Sequence, residues 1–121
     1  MKQKVHSVSY LAKAEFELKN GVHDLVALPA GAEVVKVSLE VVGNANDGHI
    51  VLKFTDEITR DFLVVLDEVA SSNKATTIAK DYTVKSNKVV VAEVNALSNN
   101  DNTKCVLRVL YFLPSVIEVE Y

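Results

Sequence analysis

The stretch Val35-Lys36-Val37-Ser38-Leu39-Glu40-Val41 decides the fold class, because every second residue in it is apolar and the residues between are polar. A period of two is the pattern of a β-strand with one buried face and one solvated face. Valine packs well on a pleated sheet and loses side-chain freedom in a helix, and it occupies 22 of the 121 positions. The sequence therefore predicts an all-β protein.

Short runs with the same strand character recur about every ten residues along the chain. They are separated by turn-forming segments such as Asn20-Gly21 and Leu28-Pro29-Ala30-Gly31, in which glycine supplies the positive φ of a tight turn. This cadence predicts an antiparallel β-sandwich of jelly-roll type with roughly eight to ten strands, in a single domain over residues 1–121. The predicted strands are Lys4–Tyr10, Ala14–Leu18, Val22–Leu28, Glu33–Val42, His49–Thr55, Phe62–Leu66, Thr77–Val84, Lys88–Ala96, Lys104–Leu113 and Val116–Tyr121.

Residues 56–70 fit the all-β pattern least well. Apolar residues at 58, 62, 65, 66 and 69 follow a helical period, and acidic residues lie at the start of the segment. The run Phe62-Leu63-Val64-Val65 has instead the composition of a strand. We favour a strand at Phe62–Leu66 and retain one short helix within 56–70 as the alternative.

No residue pattern points to catalysis, to a bound cofactor or to a metal. His6, His23 and His49 are far apart and form no His-x-His or HExxH spacing. The sequence has no glycine-rich phosphate loop and no GxSxG nucleophile motif. The single cysteine, Cys105, lies in an apolar run and is expected to be a buried, inert thiol. We therefore expect a protein that is not an enzyme, with no cofactor and no metal site.

The net charge of −3 comes from 13 basic and 16 acidic residues scattered along the chain. The sequence lacks a basic cluster with interleaved aromatic residues, which argues against nucleic-acid binding. No apolar run reaches the roughly 18 residues of a membrane span, and Met1–Tyr10 lacks the apolar core of a secretory signal. We expect a protein made inside a cell, with neither a nucleic-acid partner nor a membrane partner.

Several predicted strands are apolar on both faces, which a free-standing sandwich does not require. Val89-Val90-Val91-Ala92 has no polar alternate, and Cys105–Phe112 has few. Such strands are covered by the chain's own loops or pressed against another chain, and we favour an interface between copies of this chain.

Both termini are alternating segments that extend beyond the predicted sandwich. Residues 1–8 are candidates for an N-terminal arm, and residues 116–121 are candidates for a C-terminal edge strand or arm. Packing of both segments on the home domain is an equal alternative. The predicted interface residues are Val5, Val8, Val90, Ala92, Phe112, Leu113, Pro114, Ile117, Val119 and Tyr121.

The order of these motifs resembles the small decoration, or cement, proteins on the capsids of tailed bacteriophages, and among them those of Helicobacter phages. The resemblance covers residues 20–121. It is carried by Leu28-Pro29-Ala30-Gly31, by the long strand Glu33–Val42 and by the closing run Val106–Ser115.

The resemblance implies a jelly-roll subunit that forms homotrimers and binds the outer surface of a lattice of major capsid proteins with the HK97-type fold. Such a subunit stabilises contacts between capsomers, lies on the virion exterior, and is present in the host cytoplasm during assembly. The alternative is a carbohydrate- or receptor-binding jelly-roll module of a phage or bacterium. The absence of tryptophan, which often stacks on sugars, argues against that alternative. A jelly-roll enzyme of the cupin type is a third and weaker alternative, since the metal-binding histidine pair is missing.

Overall fold

The computed structural model describes residues 2–6, 8–45, 48–55, 64–66, 75–95, 100–113 and 116–120. The described residues contain ten β-strands, so the all-β prediction is confirmed. In chain order the strands are β1 (Lys2–His6), β2 (Ser9–Glu17), β3 (Gly21–Leu28), β4 (Glu33–Ala45), β5 (His49–Phe54), β6 (Val64–Leu66), β7 (Ala75–Thr83), β8 (Lys88–Asn95), β9 (Asn100–Phe112) and β10 (Val116–Glu120).

Eight of these strands form two antiparallel four-stranded sheets. Sheet I has the order β2-β9-β4-β7, and sheet II has the order β3-β8-β5-β6. The chain passes repeatedly from one sheet to the other, and nearly all hydrogen-bonded neighbours are distant in sequence. This arrangement of eight strands in two sheets is a jelly roll, which confirms the predicted fold class.

Strand β4 shows how the period-two pattern builds the core. Val37, Leu39 and Val41 are fully buried between the sheets, whereas the intervening Ser38 and Glu40 are partly exposed on the outer face of sheet I. Burying each such aliphatic side chain contributes about 1.5–3 kcal/mol relative to leaving it in water. The core also includes Leu18, Val26, Leu28, Val34, Ile50, Leu52, Phe54, Val90, Ala92, Val94, Leu107 and Val109.

The predicted Pro-Gly turn connects β3 to β4. The backbone N–H of Ala32 donates to the carbonyl of Pro29 at 3.2 Å, and Gly31 has a φ of 86°. A positive φ at this position belongs to a type II turn and favours glycine. The N–H of Gly31 also donates to the carbonyl of Val84 at 2.6 Å, which fixes the turn to the segment after β7.

Several predicted strand boundaries differ from the structure: β4 continues to Ala45, β7 begins at Ala75 and β9 begins at Asn100, and the largest difference is at the N-terminus. The predicted strand Lys4–Tyr10 is divided between β1 and β2, and Leu11–Lys13, predicted as a break, lies inside β2. The alternation continues through this stretch because Ala12 and Ala14 take the inward positions, but alanine is too weakly apolar to mark them in the sequence. Val64–Leu66 is a strand as favoured, while 56–63 and 67–70, and with them the helix alternative, lie outside the described residues.

Candidate protein interface

The two ends of the chain pair with each other in a two-stranded antiparallel ribbon, β1–β10, which we call the terminal ribbon. Its register sets Lys2 opposite Glu120 and Val5 opposite Ile117. Directly opposed residues of an antiparallel pair share one face, so one face of the ribbon has the two Lys–Glu pairs and His6–Val116, and the other has Val5–Ile117 and Gln3–Val119. The sequence indicated two separate terminal arms; their pairing with each other was not predicted.

The terminal ribbon follows the β2–β9 pair of sheet I with a change of register. Ser9 pairs with Phe112, whereas His6 pairs with Val116, so the C-terminal side has one more residue between the two ladders than the N-terminal side. Without this extra residue, Lys4 would lie opposite Ile117 and the two strands would no longer match face to face. Shifting an antiparallel pairing by one residue exchanges the face that each strand presents to its partner. Here the shift places Lys2 and Lys4 opposite Glu120 and Glu118.

Apolar surface is concentrated where the terminal ribbon joins the sandwich, a region that we call the ribbon end. The ring of Tyr10 stacks on that of Tyr111 there, with 6.0 Å between centroids. Four of the six large hydrophobic residues that are exposed in the described chain lie at this end, and the other two, Val22 and Val42, lie at the opposite end. The four are Val8, Tyr10, Leu11 and Val89, with exposed fractions of 38%, 49%, 60% and 37%. Leu11 lies on the outer face of sheet I and Val89 on the outer face of sheet II, so this end exposes apolar side chains on both sides of the sandwich, as surfaces that contact proteins do.

A depression of about 310 Å³ lies on the outer face of sheet I beside the ribbon end. Leu11 and Leu110, which are register partners across β2 and β9, form its apolar part. Lys36, Ser38 and Arg108 complete the lining. The depression is shallow and mainly apolar, which suits the side chain of a protein partner better than a small polar substrate.

The charges around this depression are only partly compensated within the chain. Arg108 Nη1 donates a hydrogen bond to Glu40 Oε1 at 3.1 Å, so this guanidinium already has a partner. Lys36 is exposed and has no ion pair within the part of the chain that the structure describes. The rim therefore favours a partner that carries a carboxylate next to an apolar group.

Most of the predicted interface residues belong to the terminal ribbon or its base. Val5 is half-buried in β1, and the N–H of Leu113 donates to the carbonyl of Val8 at 2.9 Å, which continues the β2–β9 ladder by one pair. Pro114 and Tyr121 lie outside the described residues. The other predicted interface residues at this end of the molecule are Phe112 in β9 and Ile117 and Val119 in β10.

The strands that are apolar on both faces contain residues in two different environments. Val90 and Ala92 are fully buried core residues, so they contact only this chain and we leave them out of the interface proposed below. Val91 and Val106 lie on outer faces yet are only 1% and 8% exposed, so the chain itself covers these two positions. Val89 remains exposed. The sequence did not distinguish these cases, because both parities of each strand are apolar.

The residues whose side chains could react or bind a metal have structural roles where the structure describes them. Cys105 is buried as expected, and burial raises the pKa of its thiol to about 12. His23 Nε2 donates to the carbonyl of Lys19 at 2.8 Å, and its ring lies 5.2 Å from that of Phe16. Within the described ranges, no three His, Cys, Asp or Glu residues are grouped to hold a metal ion. The same ranges contain no helix with the length and apolar character that crossing a membrane requires.

The described residues form a jelly-roll sandwich with paired termini and exposed apolar residues at the ribbon end, which are features of a structural β-domain. It is similar to a chain of the acidic-stable capsid structure of Helicobacter pylori bacteriophage KHP30, with 64% identity over 100% of both chains and a TM-score of 0.90. The protein belongs to the same family as that chain, a family of bacteriophage capsid structural proteins. The resemblance to Helicobacter phage capsid proteins seen in the sequence is thereby confirmed.

A second similar chain comes from the capsid asymmetric unit of cyanophage Pam1. It is 22% identical, the match covers 88% of this chain and 85% of that one, and the TM-score is 0.65. At this identity the likeness shows the jelly-roll fold alone. No protein-family model and no curated protein sequence matches the chain.

Proposed function

We propose that this protein is a decoration protein, which binds the outer surface of a bacteriophage capsid and stabilises the contacts between capsomers of the major capsid protein. The observation that carries the proposal is the full-length similarity, at 64% identity, to a chain of the KHP30 capsid structure. The proposed partner is a major capsid protein with the HK97-type fold. The proposed assembly is a homotrimer, present in the host cytoplasm until it reaches the capsid exterior.

The ribbon end is the part of the molecule that we assign to the capsid contact. Its exposed apolar residues gain free energy when a partner covers them, at about 25 cal/mol per Å² of apolar area. The terminal ribbon is a suitable arm because its two strands satisfy much of each other's backbone hydrogen bonding through the β1–β10 ladder. An arm of this kind reaches a neighbour without leaving a whole strand unpaired.

The proposed mechanism is thermodynamic. A protein that binds the assembled capsid and not its separated capsomers raises the free energy of disassembly in proportion to the logarithm of its concentration over its dissociation constant. A standard interface buries roughly 800 Å² on each partner, so many copies around a particle add up to a large stabilisation. No reacting group is needed for this function.

The experiment compares phage particles that carry this chain with particles assembled without it. We expect the chain in purified particles, and we expect particles without it to release their DNA at a lower temperature. Adding the purified protein back should restore the original release temperature. Absence of the chain from purified particles, or equal thermal stability with and without it, would overturn the proposal.

Two matched substitutions test the ribbon end. Leu11→Lys changes a residue that is 60% exposed at the ribbon end, and Val22→Lys changes a residue that is 61% exposed at the opposite end. Placing a charge in the contact should cost about 2 kcal/mol or more, so Leu11→Lys should bind capsids roughly thirtyfold more weakly while Val22→Lys binds normally. An equal loss in both variants would show that the ribbon end is not the contact. Light scattering on the purified chain tests the trimer.

A further inference from the structure

The four sheet edges are not equally protected against pairing with another chain. The edges are β2 and β7 in sheet I and β3 and β6 in sheet II. β3 carries an extra residue between Asp24 and Val26, and β7 carries an irregularity opposite Val34 and Lys36. Bulges are one of the means by which proteins keep sheet edges from adding strands.

Edge strand β2 has no bulge in its pairing with β9. Its nine residues, Ser9–Glu17, all pair with β9 without a register shift, and none of them is proline or glycine. On its other side β2 pairs with no strand of the described chain. The backbone N–H and C=O groups along that side are therefore available to an added strand.

We propose that β2 pairs antiparallel with β2 of a second copy of this chain, around a two-fold axis at Ala14. The pairing joins the two copies of sheet I, each of four strands, into one continuous sheet. The contact is isologous, since the same strand is used on both copies. It goes beyond the proposed capsid binding and rests on the fold alone.

The charges on the outer face of β2 select this register. With the axis at Ala14, Lys13 of each copy lies opposite Glu15 of the other, which gives two opposite-charge pairs. An axis at Ala12 would form no charge pair, and an axis at Lys13 would set Lys13 against its own copy. An axis at Glu15 would form two Lys13–Glu17 pairs but would set Glu15 against its own copy. Like charges directly opposite each other destabilise a strand pair, whereas opposite charges stabilise it. An axis at Phe16 brings Glu15 and Glu17 together and is excluded for the same reason.

The inner face of β2 fits the same register. Ala12 and Phe16 are half-buried against the core of their own copy, and the axis at Ala14 sets Ala12 opposite Phe16 of the second copy. A small residue therefore meets a large one, and Ala14 meets Ala14 at the axis. Apolar residues oppose apolar residues on this face, so no inward polar group is left without a partner.

The charged side chains are available for this contact. Lys13 Nζ lies 3.7 Å from Glu15 Oε1 of the same strand, and the two side chains are 50% and 60% exposed. An ion pair of this length and exposure holds its members weakly. Each charge is therefore free to turn toward the neighbouring strand of a second copy.

Charge reversal tests the contact through the mass of the particle in solution. Lys13→Glu sets the new glutamate of each copy against Glu15 of the other, and Glu15→Lys sets lysine against lysine twice. Each variant alone should associate at least about tenfold more weakly, so at concentrations near the wild-type dissociation constant its mass measured by light scattering should fall toward half that of the fully paired wild type. The factor of two holds for a monomer that pairs and for two trimers that pair through all three of their β2 strands.

Mixing the two variants is the decisive measurement. A Lys13→Glu chain and a Glu15→Lys chain are complementary at both opposed pairs, so the mixture should recover the wild-type mass. Glu17→Lys is the matched control: it makes the same charge change as Glu15→Lys, but its position lies opposite Leu11 and the mass should not fall. Equal masses for wild type and both variants, or a mixture that does not recover, would overturn the proposal.

Crosslinking tests the register. In an antiparallel pair the two Ala14 Cα atoms are about 4.5–5.5 Å apart, within the range that a disulfide spans. Ala14→Cys should therefore crosslink two copies under mild oxidation, whereas Ala12→Cys should not, because its copies are about four residues out of register. Cys105 does not interfere, because it is buried. A crosslink in Ala12→Cys and none in Ala14→Cys would refute this register. None of these measurements involves a capsid, so their results test the strand pairing independently of the proposed capsid binding.

Discussion

Deletion of residues 1–6 and 116–121 removes the terminal ribbon and keeps the sandwich. The shortened chain, residues 7–115, retains the N–H of Leu113 and the carbonyl of Val8, whose 2.9 Å hydrogen bond closes the β2–β9 ladder. We expect this chain to fold, to lose capsid binding, and to unfold at nearly the same denaturant concentration as the full-length protein.

The expected stability change follows from the pairing of the strands. β1 and β10 pair with each other and with no strand of either sheet in the described chain. An isolated two-stranded ribbon is marginally stable in water, so its removal should change the free energy of unfolding by less than about 1 kcal/mol. Leu107→Ala is the contrasting change: Leu107 is fully buried in β9, and its truncation should cost about 2–5 kcal/mol.

Urea unfolding followed by far-ultraviolet circular dichroism measures both changes, and cosedimentation with undecorated particles measures binding. A loss above about 2 kcal/mol on deletion would show that the terminal ribbon is part of the cooperative fold. Full occupancy of particles by the shortened chain would show that the ribbon makes no capsid contact. These two outcomes refute different steps of the reasoning, because the first concerns the fold and the second concerns the interface.

Two further predictions follow from ionisable groups. Cys105 should not react with iodoacetamide at pH 8 in the folded protein, because a pKa of about 12 leaves roughly one thiol in 10⁴ as thiolate, and it should react in denaturant; rapid labelling of the folded protein would contradict its burial. The pKa of Glu93 is lowered by Lys53 Nζ at 2.6 Å and by the Asn95 amide. A folded-state pKa below the unfolded value of about 4.3 stabilises the protein above that pH, and this contribution disappears on acidification through the lowered pKa. Wild type and Glu93→Gln should therefore differ by only about 0.2–1 kcal/mol at pH 7, since the pair is partly exposed, and converge as the pH falls through the lowered pKa; a gap that persists in acid would contradict the assignment.

Strand β4 and the turn before it are the features that the sequence predicts best. Alternation over Val35–Val41 has one physical explanation, a strand with one buried face, and Val37, Leu39 and Val41 are buried as expected. Val35 is the exception, because the register shift between Val34 and Lys36 places Val34 in the core instead. The turn is equally local, since Pro29 and Gly31 restrict the backbone themselves. Local sequence was sufficient in both cases because the determining interactions lie within a few residues.

The pairing partners and the covered faces are not local, and there the sequence was insufficient. Val90 and Val91 are adjacent and equally apolar. Val90 lies in the core, whereas Val91 lies on the outer face of its sheet, where another part of the chain covers it. The terminal strands have complementary residues, such as Lys2 opposite Glu120, but these residues lie at opposite ends of the chain. Only the jelly-roll topology brings β2 and β9 together and thereby sets the two termini side by side.

The proposed strand pairing changes what the ribbon end does on a capsid. Two β2 strands that cross a two-fold axis at Ala14 run in opposite directions, so Ser9 of one copy lies opposite residue 19 of the other. The two copies of Ser9, and with them the two ribbon ends, are then separated by about ten strand residues, or about 34 Å. A pair of this kind presents one apolar contact at each of its two ends and a rigid, continuous sheet between them. Because a second contact on the same rigid body is made at high effective concentration, two weak contacts of this geometry hold neighbouring capsomers together more strongly than two separate subunits do.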